Sequence, residues 1–153
     1  HATIRRQRQM CIRDRNSMIL NTSSVAGLVT TPGISVYGAT KHAVSSLTES
    51  LRIEFERYGV RVSEINPWFT ETPILDAQAV TGNMKSQLDR NTLYEKTTVY
   101  PVEKVVDTVW SAYSNNKIHN PIGFEAKFAA SVTRIFPSFI RWLSKKSFKN
   151  TFI

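Results

Sequence analysis

Residues 17–67 read SMILNTSSVAGLVTTPGISVYGATKHAVSSLTESLRIEFERYGVRVSEINP. Ser17 to Ser23 is short, apolar and β-tolerant, the pattern of a buried strand. Gly27 and the Thr30-Thr31-Pro32-Gly33 cluster mark a loop. Ser35 is placed to cap a helix. Val44, Leu47, Leu51, Phe55 and Tyr58 recur at helical spacing and predict its apolar stripe. Gly59 is placed to end that helix in a left-handed conformation. Val60 to Ile65 alternates apolar and polar residues and stops at Asn66-Pro67, which predicts a second strand. Strand, helix and strand make a βαβ unit, whose crossover sets the two strands parallel. The expected fold class is α/β.

Outward from this unit the signals thin. Residues 67–98 have no strong period and contain Pro73, Gly82 and Asn83, so they are expected to form a lid or mobile segment. Its larger apolar residues include Ile74, Leu75, Met84, Leu88 and Leu93. Pro101 is expected to open a helix at its first turn, with Val102, Val105, Val106, Val109 and Trp110 as the apolar face. Asn115-Asn116 closes it, and Ile118 to Gly123 can form a last short strand. Residues 126–153 interleave Phe128, Ile135, Phe139, Trp142 and Leu143 with Arg134, Arg141, Lys145 and Lys146, and Pro137 splits them into two helical pieces. Two readings of this tail stand: an amphipathic cover for a core or subunit interface, or a helix lying on an anionic membrane surface.

The chain has 153 residues and a formal net charge of +8. The charge sits at the ends. Residues 1–15 carry five Arg and one Asp, and residues 126–153 carry six Lys or Arg and no acid. The span 16–125 has nine basic and eleven acidic residues. A nucleic-acid domain carries its charge on a folded face, so no nucleic-acid partner is expected. The leader, HATIRRQRQMCIRDR, has no period, and is either a basic arm or a stretch foreign to the protein. Cys11 is the one cysteine, which excludes an internal disulfide and a Cys-rich zinc site and makes an intracellular setting the default. No apolar run reaches the length of a membrane span. His42 and His119 have no metal-ligand partner at useful spacing, and no metal is expected. Glu49, Glu54, Glu56, Arg52 and Arg57 read as a solvated helix face.

Tyr-x-x-x-Lys occurs at Tyr37/Lys41, Tyr100/Lys104 and Tyr113/Lys117. Only Tyr37 follows a predicted strand, with Ser24 thirteen residues before it, and opens a long helix. Positions i and i+4 share a helix face, so Lys41 brings a cation toward the Tyr37 hydroxyl. A free phenol is a poor base at neutral pH, and a nearby cation favours its ionised form. Tyr37 could then exchange a proton with a substrate hydroxyl or carbonyl. Ser24, at the carboxyl end of the strand, could hydrogen-bond the same oxygen; ligands bind at that end of parallel sheets. The alternative is a packed Tyr37, a solvated Lys41 and a Ser24 that satisfies its own loop.

NTSSVAG (21–27), YGATK (37–41) and NPWFTET (66–72) together resemble the short-chain dehydrogenase/reductase family over residues 16–125. The resemblance implies a Rossmann-type doubly wound parallel sheet that binds NAD or NADP and passes a hydride between an alcohol and a carbonyl. It implies Tyr37 as acid/base, Ser24 as orienter of the substrate oxygen, and Lys41 as holder of the nicotinamide ribose. Pro67, Trp68, Thr70 and Thr72 would line the nicotinamide and diphosphate side. FERYGVRVSEINP and PIGFEAK are similar to the retinol, hydroxysteroid and hydroxybutyrate dehydrogenase branch, implying a steroid- or retinoid-like substrate, and the family implies a homo-oligomer. Two departures stand out. Trp68 occupies the place where the family usually has Gly. The glycine-rich phosphate loop, the ribose selector and an upstream catalytic Asn have no counterpart before Ser24. The expectation is therefore the carboxyl half of such an enzyme, truncated, with the amino-terminal cofactor-binding half absent. The competing expectation is an inactive chain that acts by association or at a membrane surface.

Overall fold

A computed structural model describes residues 17–73 and 97–152, with side chains of the final helix through Lys146. The basic leader and most of the expected lid lie outside the described residues. The elements run β1 (Met18–Thr22), a 3-10 turn (Val25–Gly27), α1 (Ser35–Glu56), β2 (Arg61–Pro67), α2 (Val102–Asn115), β3 (His119–Ile122), α3 (Phe124–Ile135) and α4 (Pro137–Phe152). Among the described residues the sheet has three strands in the order β1-β2-β3, all parallel. Ile19 stands beside Val62, and Ile65 beside both Thr22 and Asn120. The α/β expectation and its parallel βαβ unit are thus realised. Gly59 (φ 69°) and Asn116 (φ 56°) take the left-handed conformations that end α1 and α2, and Pro137 does divide the tail into two helices.

Three expectations change. Ser35 is the first residue of α1; Ile34 occupies the cap position and makes no side-chain cap hydrogen bond. Pro101 likewise precedes α2 as its cap residue. The larger change concerns which side of α1 faces inward. The buried residues are Gly38, Ser45 and Thr48, whereas Leu47 and Tyr58 of the expected stripe are exposed. Small polar residues let the helix approach the sheet closely, and hydrogen bonds satisfy them there. Asn21 Nδ2 donates to Thr48 Oγ1 at 2.9 Å, and Thr48 Oγ1 donates to the Val44 carbonyl at 2.8 Å.

The central strand explains why polar residues face inward. Residues 62–66 of β2 are buried throughout, so its alternation is not that of a strand with one wet face. Glu64, fully buried, receives three donors on Oε1: Ser45 Oγ at 2.9 Å, Asn66 Nδ2 at 2.7 Å and His119 Nδ1 at 2.8 Å. Buried polar groups persist when so paired. His119 bridges Glu64 to Glu49, its Nε2 lying 2.9 Å from Glu49 Oε1. The Glu64 hydrogen bond raises the His119 pKa, partial burial opposes the rise, and the charges of Glu64 and Glu49 add to it. His119 and Glu49, the latter read from the sequence as part of a solvated helix face, therefore clamp α1 to β2 and β3.

The buried apolar residues include Val60, Val62, Ile65 and Ile122 about the sheet, and a further cluster packs on the 3-10 turn. Val25, Val29 and Ala126 are buried together, with Leu28, Trp68 and Ala129 packed against them. On α2 only Ala112 is buried, and Val102, Val106 and Trp110 of its expected apolar face are exposed.

Candidate active site

Ser24 stands just past the carboxyl end of β1 and caps the 3-10 turn, its Oγ accepting from the Ala26 amide at 3.2 Å. Tyr37 is in the first turn of α1 and is 41% exposed. Lys41 lies one turn further, its Nζ 5.6 Å from the centre of the Tyr37 ring. The ammonium also donates to the Thr22 carbonyl at the end of β1, at 3.1 Å. An ammonium has three donors, so this bond anchors Lys41 and leaves it the capacity to bind a further acceptor.

The positions of Ser24 and Lys41 are fixed by neighbours that carry no obvious signal. Ser23 Oγ donates to the Lys41 carbonyl at 3.1 Å and lies 3.1 Å from Ser45 Oγ. A Cβ on Gly27 would fall 2.6 Å from Ser23 Oγ and 2.7 Å from the Lys41 carbonyl oxygen. The turn and helix touch there, and only a residue without a side chain fits. The network beneath the site is continuous: Lys41 carbonyl, Ser23, Ser45, Glu64, His119. Sequence reading marks Gly27 as a loop residue but passes over Asn21 and Ser23, which act by contacts across the fold. Their one legible trace is their place inside NTSSVAG.

The other two Tyr-x-x-x-Lys pairs are built differently. Tyr100 donates to Glu125 Oε2 at 2.6 Å and accepts from the Phe124 amide at 3.1 Å. The hydrogen bond to Glu125 raises its pKa, as does burial. Its ring rests on Gly123, where a Cβ would come within 2.2 Å. Tyr113 stacks under Arg61, 4.9 Å away. Tyr100 is held by Glu125 and Phe124, and Tyr113 lies half-exposed against Arg61; of the three, Tyr37 is the one whose lysine is held at the carboxyl end of a parallel strand, on the Thr22 carbonyl.

Pro67 ends β2, and the following loop turns back on itself. Thr70 Oγ1 donates to the Trp68 carbonyl at 3.2 Å, and Thr72 Oγ1 to the Thr70 carbonyl at 3.3 Å. Glu71 N to Tyr100 O and Tyr100 N to Phe69 O, each 2.9 Å, tie the loop to the segment before α2. The Trp68 indole packs on the Val25–Val29–Ala126 cluster and donates to Thr97 Oγ1 at 2.9 Å. Trp68 thus spends its ring on the core. Among the described residues no group of three or more His, Cys, Asp or Glu could hold a metal, and no helix is long and apolar enough to cross a membrane.

The short chain dehydrogenase family model matches residues 2–81, over half the chain. The chain belongs to the short-chain dehydrogenase family. An uncharacterised NAD-dependent oxidoreductase of Mycobacterium tuberculosis is 44% identical over 62 residues, 40% of this chain and 22% of that protein. An uncharacterised oxidoreductase of Schizosaccharomyces pombe is 30% identical over 116 residues, 71% of this chain and 49% of the relative. The fold matches a Burkholderia cenocepacia short chain dehydrogenase solved with NADP, with TM-score 0.66 and 21% identity over 84% of this chain and 47% of that one. The chain therefore spans between about a fifth and a half of the length of these relatives.

Proposed function

We propose that this chain carries the proton-transfer centre of an NAD(P)-dependent oxidoreductase that interconverts an alcohol and a carbonyl. The observation that carries the reading is Lys41 Nζ held on the Thr22 carbonyl at the end of β1 and 5.6 Å from the Tyr37 ring, with Ser24 just past the same strand end. In this reading Ser24 Oγ donates to the reacting oxygen and fixes its position. Tyr37 takes the proton from the alcohol in oxidation and returns it in reduction. Lys41 brings positive charge to that exchange, which favours the phenolate as it forms. Water exclusion falls to the loop from Pro67 to Pro73.

The donor set suits a dinucleotide. Carboxyl ends of parallel strands are where such ligands dock, and a half-buried ammonium with donors to spare suits a ribose. Lys41 and Tyr37 would hold the ribose, and Pro67, Thr70, Thr72 and the backbone of Trp68 would border the nicotinamide and diphosphate. When bound, the nicotinamide supplies the hydride acceptor or donor that no side chain provides. NAD and NADP both remain within the proposal.

We assign a lipophilic substrate of steroid or retinoid type on the apolar residues between Thr72 and Pro101. A homo-oligomer belongs to the same reading, supported by exposed Val36, Leu47 and Ile53 on α1. So does an intracellular setting, on the single cysteine.

The test is reduction of NAD or NADP by a panel of hydrophobic alcohols, using the polypeptide that carries this sequence. Ser24→Ala removes the donor to the reacting oxygen, and loss of such a donor costs about 100- to 1,000-fold in kcat. The same loss, with cofactor binding retained, is expected here. Turnover within threefold of the unaltered protein would remove Ser24 from the site.

A further inference from the structure

Helix α3 is turned inside out. Its inward side is made of small residues: Ala126 is fully buried, and Ala129 packs on the Val25–Val29 cluster. Its large apolar residues point the other way, with Phe124 75%, Phe128 52% and Ile135 67% exposed. At 100° per residue these three fall within one narrow stripe. Phe124 and Phe128 stack with ring centres 6.2 Å apart.

Helix α4 repeats the arrangement. Ile140 is buried, and Ser144 donates to the Thr30 carbonyl at 3.3 Å, which fixes the inward side. Phe139, Trp142 and Leu143 are exposed. Phe139 stacks on Trp142 at 5.9 Å, and Lys146 Nζ lies 5.5 Å from the centre of the Trp142 ring. Aromatic rings and cations thus share one outward surface. The sequence leaves open whether the tail's apolar residues are consumed by the fold; in the structure Phe128, Ile135, Phe139, Trp142 and Leu143 are not.

Charge selects the occupant. Helices α3 and α4 carry six basic residues and one acidic residue, Glu125, whose carboxylate accepts from Thr98 and Tyr100. A symmetric contact between two copies would set these like charges against each other. An anionic surface neutralises them, while Trp and Phe settle at the headgroup level.

We propose that α3 and α4 form a docking surface for an anionic phospholipid bilayer. The chain lies on that membrane by inserting Phe139 and Trp142 while Arg141, Lys145 and Lys146 engage headgroups. This goes beyond the oxidoreductase reading and does not depend on it.

The experiment is co-sedimentation of the polypeptide that carries this sequence with two kinds of vesicle: phosphatidylcholine alone, and phosphatidylcholine with phosphatidylserine. A basic residue near an anionic leaflet contributes about fivefold in binding. Lys145→Glu/Lys146→Glu is therefore expected to weaken binding to the phosphatidylserine vesicles by roughly 25-fold or more. Phe139→Ser/Trp142→Ser is expected to abolish binding, and raising salt toward 1 M to weaken it as screening shortens to about 3 Å. Circular dichroism verifies that each variant is folded. Independently of any variant, tryptophan emission of the unaltered protein is expected to shift to shorter wavelength on phosphatidylserine vesicles and not on phosphatidylcholine alone. Equal binding to both vesicles, unchanged binding of the folded Lys145→Glu/Lys146→Glu protein, or unmoved emission would overturn the proposal. Self-association in sedimentation velocity that the Phe139/Trp142 pair removes, without vesicle binding, would overturn it in favour of a second copy.

Discussion

Replacing His119 by Ala is expected to be among the most damaging changes outside the active site, and its cost should depend on pH. Glu64 is fully buried, and its Oε1 accepts from Ser45, Asn66 and His119. Its Oε2 is buried without a hydrogen-bond partner. His119 is the one group in this set that can carry positive charge. Breaking a buried pair by removing one partner costs about 3–5 kcal/mol, because the other charge is left uncompensated. The His119 side chain is 27% exposed, so water can reach the void, and the lower end, about 3 kcal/mol, is the expected value. The folded-state pKa of His119 is raised, first by the Glu64 hydrogen bond. A raised pKa means the stabilisation is complete below the unfolded value of about 6.5 and is lost as pH rises through the folded value. Urea unfolding of the unaltered and His119→Ala proteins, at about pH 6 and about pH 9, checks this. The difference between them should be the larger at the lower pH. A difference below about 1 kcal/mol, or one equal at both pH values, would refute the assignment of a charged clamp.

Two further changes probe the supports of the site. Gly27→Ala should displace α1 from the turn, since the added Cβ meets the Lys41 backbone at 2.7 Å and 2.9 Å; a loss of about 1–3 kcal/mol by thermal unfolding is expected, with activity falling further than stability, and a neutral substitution would show that the contact yields. Tyr100→Phe removes the hydroxyl that joins Glu125 to the Phe124 amide; it should cost about 1–3 kcal/mol in unfolding free energy while leaving catalysis intact, and loss of turnover in a fully folded variant would contradict the packing role.

The βαβ unit was legible because its signals are local. Apolar runs mark β1 and β2, Gly59 marks the left-handed turn, and the thirteen-residue separation of Ser24 and Tyr37 sets one on the strand end and the other on the helix start. The inward face of α1 was not legible from hydropathy. Ser45 and Thr48 are buried because Glu64, Asn21 and Ser23 face them, and a periodicity of apolar residues assigns such side chains to water. The same blindness hid His119, whose partners lie 55 and 70 residues away in sequence. Trp68 stands out in the sequence because the family usually has Gly there, and nothing local says where its ring goes; its neighbours in space are Val25, Val29 and Ala126. The exposed aromatic stripe of α3 could be read as a helix but not as an outward face, since direction depends on which side the small residues cover.

In the proposed mechanism Tyr37, and neither of the other two tyrosines at the same spacing from a lysine, exchanges the proton. Tyr37→Phe and Tyr113→Phe, made in the polypeptide that carries this sequence and assayed for alcohol-dependent reduction of NAD or NADP, test it most directly. Removing a general acid/base costs about 100- to 10,000-fold. Tyr37→Phe is expected to lose activity in that range with cofactor affinity retained, and Tyr113→Phe to keep near-normal turnover. Substantial oxidation at neutral pH by the Tyr37→Phe protein, or an equal loss in both variants, would contradict it.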